Sequence, residues 1–70
     1  MRFPEEVDAD VRRRLRRIEG QIRGLQRMLA EGQDCRDVVT PLSAAQAALD
    51  RVGYRLEAAG LRDCGAPADG

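Results

Sequence analysis

Between Leu29 and Val38 the chain reads LAEGQDCRDV, and this short segment separates two long apolar repeats. Before it, Val11, Leu15, Ile18, Ile22, Leu25 and Leu29 recur at spacings of 4, 3, 4, 3 and 4. After it, Val38, Leu42, Ala45, Leu49, Val52, Leu56 and Ala59 recur at spacings of 4, 3, 4, 3, 4 and 3. Heptad seams of this kind lay an apolar stripe along one side of an α-helix. Gly32 suits the left-handed residue that ends one helix, and Asp34 the cap that begins the next. So short a connection makes the helices antiparallel neighbours. The expected fold is therefore an all-α, antiparallel two-helix hairpin. Helix 1 spans roughly residues 5–31 and helix 2 roughly 35–62. Residues 1–64 form the domain, and 65–70, rich in glycine and alanine, read as a flexible tail.

Pro41 lies inside helix 2, where it removes a backbone bond and crowds the carbonyl of Asp37. The seam runs through it in register, which favours a kink over a fresh start capped by Thr40. Gly60 offers an alternative end to helix 2, with Leu61–Cys64 then forming a turn.

Seventy residues allow one small domain. Ordering them costs roughly 100 kcal/mol of conformational entropy, at about 1.5 kcal/mol per residue. So small a core rarely exceeds that cost by more than a few kcal/mol, and partner chains are expected. Helix 2 points the same way: Ala44, Ala47 and Ala48 flank Ala45 and Leu49, so the helix is apolar on more than one face. One hairpin supplies one neighbour, so at least a second chain packs there. Two cysteines are too few for a stapled secreted scaffold, and there is neither a signal-like apolar run nor a membrane-length one. A cytoplasmic, oligomeric protein without membrane contact is expected.

Net charge is zero, but its distribution is uneven: all twelve basic residues are arginine, and histidine is absent. Residues 12–27 carry seven arginines against Glu19, a local balance of +6, whereas residues 1–11 carry −3. A concentrated basic stretch is the footprint of a polyanion partner, although a solvated helix face gives the same pattern. Gly20 and Gly24 lie one turn apart on helix 1, where a neighbouring helix or a phosphate backbone could come close.

Cys35 begins helix 2 and Cys64 follows its end. Twenty-nine residues at 1.5 Å each separate them by roughly 43 Å, so they cannot meet within one chain. If two copies of helix 2 pack antiparallel, Cys35 of one chain comes beside Cys64 of the other, giving two dithiol sites per dimer. At the helix start the dipole and free N–H groups favour a Cys35 thiolate; Arg36 adds to this, and Asp34 and Asp37 subtract.

The runs Arg14-Leu-Arg-Arg-Ile-Glu-Gly-Gln21-Ile-Arg-Gly24, Asp34-Cys35-Arg-Asp-Val-Val-Thr40 and Ser43-Ala-Ala-Gln-Ala-Ala-Leu49 resemble the copper-sensing operon repressor family of bacteria, the CsoR and RcnR type. The resemblance covers about residues 11–64. It implies a four-helix-bundle dimer, a dimer-of-dimers tetramer, and operator DNA as a partner released when an effector reaches the cysteines. It places Arg14 and Arg51 at positions that contact or orient on DNA, with Arg17 and Gln21 as secondary positions.

Copper sensors of this family have a Cys-His-Cys triad, and the histidine position here is Gly60. Cys35 and Cys64 could still hold Cu(I) linearly, because Cu(I) favours soft thiolates, but a three-ligand site cannot be built from these residues. The stretch Glu31–Val38 resembles instead the persulfide-sensing CstR-like branch, which keeps two cysteines and lacks the histidine. The reading that follows is a repressor that senses persulfide or polysulfide through an intersubunit thiol pair, needing no cofactor. The alternatives are a Cu(I)-responsive repressor with a two-cysteine site and a coiled-coil interaction module that does not bind DNA. An enzyme is not expected, because the sequence offers no histidine, no nucleophile–base pair and no cofactor loop.

Overall fold

A computed structural model describes the backbone of residues 2–63 and the side chains of residues 2–60. Two helices account for nearly all of it: α1, Glu5–Ala30, and α2, Cys35–Asp63. The expected boundaries hold to within a residue. Cys64 and the tail at 65–70 lie outside the described residues.

Helix α1 starts after Pro4, whose carbonyl accepts the Asp8 N–H at 2.9 Å. Glu5, Glu6 and Asp8 occupy its first turn and Arg27 its last, each sign matched to the helix dipole. The helix ends in a Schellman motif. Gly32 has φ +73°, its N–H donates to Leu29 O at 3.1 Å, and the Gln33 N–H donates to Met28 O at 3.0 Å. A residue with a Cβ would be strained there, so the glycine read as the helix stop has a physical reason to be glycine.

Helix α2 is continuous through Pro41, so Thr40 does not recap it, and it continues past Gly60 to Asp63. The Asp34 carbonyl accepts the Asp37 N–H at 2.9 Å and the Val38 N–H at 3.3 Å, which sets the first turn. The carbonyl that Pro41 leaves without its helical donor belongs to Asp37, which is exposed to water.

The hairpin core consists of Val7, Val11, Ile18, Ala45, Val52 and Ala59, with Phe3, Ala48 and Leu56 packed against it. Only part of each seam is therefore inside. Leu15, Ile22 and Leu29 of α1, and Leu42 and Leu49 of α2, remain 39–66% exposed. Two helices side by side give each one neighbour, and one neighbour covers a single column of a heptad seam. Counting 100° per residue from the core positions, both exposed columns fall on the same face of the hairpin. The molecule measures 45 × 25 × 13 Å, one helix thick, so no other part of the chain can cover that face.

Candidate functional site

The opposite face carries a groove of about 450 Å³ between the helices. Arg14, Arg17, Ile18 and Gln21 line it from α1, and Ala44, Ala47, Ala48 and Arg51 from α2. The α1 residues fall within two turns on one side of the helix. Those of α2 follow i, i+3, i+4, i+7 spacing, which likewise selects one face. The alanines are short, so they form a low floor over which the arginines stand. The sequence presents them as a surface for another helix; within the hairpin, Ala44 and Ala47 are exposed and face this groove. All four residues expected to meet DNA thus surround one concavity.

Arg17 and Arg51 have no carboxylate within ion-pair distance among the described residues, whereas Arg14 does. Arg14 Nε donates to Asp10 Oδ2 at 3.0 Å, and Arg55 Nε donates to the same oxygen from α2 at 3.1 Å. Arg13 donates to the other oxygen, Oδ1. Arg55 first, then Arg14, hold the Asp10 carboxyl below the usual carboxylate range. The sequence reading missed Asp10 and Arg55. Asp10–Arg14 has a recognisable i,i+4 spacing, but the pairing with Arg55, 45 residues away, depends on the register of the two helices.

Gly20 and Gly24 meet nothing within 4 Å of a Cβ position, so no part of the hairpin makes the close approach their presence suggested.

The sensing end is separate from the groove. Cys35 is exposed at the first residue of α2. Arg36 Nε turns back to Asp34 Oδ2 at 3.3 Å, so its charge is shared with that carboxylate. The unbroken α2 carries Asp63, the residue before Cys64 in the sequence, about 42 Å from Cys35 at 1.5 Å rise. No cluster of three metal-ligating side chains exists among the described residues. At Gly60 the nearest non-helical atom to a Cβ position is Phe3 Cε1, at 3.9 Å.

The chain matches the model of the metal-sensitive transcriptional repressor family over residues 8–69. It belongs to that family. Among its relatives, it is 46% identical over 52 residues to the copper-sensing transcriptional repressor RicR of Mycobacterium tuberculosis, covering 74% of this chain and 54% of that protein. It is 46% identical over 43 residues to the copper-sensing transcriptional repressor CsoR of Bacillus subtilis, covering 61% of this chain and 43% of that protein. The chain therefore spans about half the length of the curated relatives it matches. The crystal structure of the copper-sensing repressor CsoR with Cu(I) from Geobacillus thermodenitrificans NG80-2 superposes with a TM-score of 0.83 at 38% identity. That match covers 91% of this chain and 67% of the other, and it bears out the two-helix fold. The likeness is to copper sensors; the persulfide-sensing branch is not among these matches.

Proposed function

We propose that this chain is a cytoplasmic transcriptional repressor that holds operator DNA with its arginine groove and releases it when Cu(I) binds Cys35 and Cys64. The observation that carries the DNA half is the gathering of Arg14, Arg17, Gln21 and Arg51 around one groove. Guanidinium groups flanking a concave strip suit the spaced phosphates of a duplex, and Gln21 adds a neutral donor and acceptor between them.

Copper takes precedence over sulfane sulfur as effector because the similar repressors are copper-sensing. The donor set fits it: two soft thiolates suit Cu(I) in linear coordination without a histidine. Because the two ends of α2 lie far apart, each site takes Cys35 from one subunit and Cys64 from another. That arrangement requires a dimer, and the uncovered apolar face provides a surface for one, with a dimer of dimers as the complete repressor. Binding of Cu(I) at the helix ends favours one packing of the subunits, and the grooves then no longer match DNA. No groove residue performs catalysis in this scheme.

A second reading is kept because the chain contains no histidine and has Gly60 at the position the copper-sensor triad assigns to it. In that reading a Cys35 thiolate attacks the outer sulfur of a persulfide, gaining that sulfur and expelling a thiolate. Cys64 of a partner chain then attacks the inner sulfur, closes a disulfide and expels hydrosulfide. Anaerobic titration of the DNA complex separates the two. Release by stoichiometric Cu(I), reversed by a Cu(I) chelator, supports the copper reading. Release by polysulfide alone, with a two-chain species on non-reducing gels, supports the other.

DNA binding by the groove has its own test. Arg51→Ala should weaken binding and lower the slope of log affinity against log salt by at least about 1, because each lost phosphate contact removes about 0.9. Fluorescence anisotropy between 50 and 300 mM salt, roughly the range where counterion release dominates, reads this directly. An unchanged slope would remove Arg51 from the interface.

A further inference from the structure

We propose that Asp10 is a built-in counter-anion of the groove: its carboxylate takes the edge of Arg14 that a DNA phosphate would otherwise use, and so limits the grip of the arginine face. This inference rests on the DNA-binding reading of that face. Asp10 differs from the other acidic residues of α1. The Asp8–Arg12 pair is an ordinary surface pair, 50% and 70% exposed, of the kind that contributes little. Asp10 is only 16% exposed and is shared by three guanidinium groups drawn from both helices. Water and salt screen such a carboxylate less than a solvated one, so it competes better for the same cations.

The geometry shows which cations are held. Arg14 and Arg55 each reach Oδ2 through Nε, at 3.0 and 3.1 Å, and Arg13 reaches Oδ1. Arg14 is the member of this set that also lines the groove. Its Nε edge is committed to Asp10, which leaves its other donors for an incoming phosphate. Arg55 fixes the carboxylate from α2, so Asp10 cannot follow Arg14 outward toward DNA. The strength with which Arg14 meets a phosphate is therefore set by a group inside the protein.

The test compares full-length wild type with Asp10→Asn, which keeps the shape and removes the charge, and with Asp10→Ser, a smaller neutral variant. A 30-base-pair duplex of mixed sequence serves as the probe, with helicity followed by circular dichroism. The folded neutral variant should bind several-fold more tightly at low salt, with a salt slope steeper by about 1 for the phosphate contact that Arg14 gains. Adding Arg14→Ala to it should remove most of that gain, and Asp10→Glu, which keeps the charge, should stay near wild type. An unchanged slope in a folded neutral variant, or equal tightening by Asp10→Glu, overturns the proposal. If wild type shows no salt-dependent duplex binding, the DNA reading fails instead. Heparin then serves as the polyanion: elution of the neutral variant at higher salt than wild type supports the counter-anion role, and elution at the same salt overturns it.

Discussion

Cys35→Ser is expected to bind DNA as wild type does and to lose its release by Cu(I). Cys35 is exposed at the first position of α2 and contributes nothing to the hairpin core, so its replacement leaves the packing intact. Serine is close in size and is well tolerated at a helix start. It fails chemically. A hydroxyl at neutral pH is protonated and a hard donor, whereas Cu(I) requires a soft, deprotonated sulfur. With one thiolate left, a two-coordinate site loses half its ligands, and no third ligand is at hand among the described residues. The measurement is DNA anisotropy under anaerobic Cu(I) titration. Release at the wild-type copper concentration would show that the effector site lies elsewhere.

The same variant also separates the thiol from the groove, because they lie far apart on α2. Ala44 is nine residues beyond Cys35, about 14 Å at helical rise, and Arg51 is farther still. A cysteine change cannot touch DNA directly from there. Loss of response with retained affinity is what a sensor coupled through subunit packing should give. Loss of affinity together with response would mean that the helix start itself takes part in binding.

Much of this was legible from residue types, and the parts that were not have physical reasons. Gly32 could be read as a helix stop because a single left-handed residue has a strong compositional signature. The seams could be read because their period is local. Which column of each seam turns inward could not, because Leu15 and Ile18 are equally apolar and differ only in where the other helix sits. The alanines of α2 were legible as an unusual apolar face, but their place as the groove floor depends on the same register. The Asp10–Arg55 tie is hidden for the same reason: it exists only once the two helices are aligned. Arg14, Arg17, Gln21 and Arg51 were assigned to DNA by resemblance, and their meeting around one groove is a property of the fold. Cys64 lies outside the described residues, so its part in the thiol pair stays a proposal.

The exposed column Leu15, Ile22 and Leu29, with Leu42 and Leu49 beside it, leads to the second large effect: Ile22→Glu should break the assembly. Ile22 is 46% exposed in the hairpin and lies in the middle of its column. If a second chain covers this face, burying such a side chain contributes up to about 1.5–3 kcal/mol. A carboxylate in its place loses that contribution and adds the desolvation cost of an unpaired charge, several kcal/mol after relaxation. In a two-fold interface the change occurs twice. Even about 3 kcal/mol in total weakens a dimer more than 100-fold, because each 1.4 kcal/mol is tenfold. The separated hairpin would then rely on a core of three valines, one isoleucine and two alanines, so helicity should fall along with mass. Light scattering and circular dichroism at micromolar concentration measure both. Gln26→Glu, which adds the same charge at an exposed position outside the column, should change neither. If Ile22→Glu keeps the wild-type mass, this face is not the one that joins the chains. The shared thiol site would then need another interface to bring Cys35 and Cys64 together.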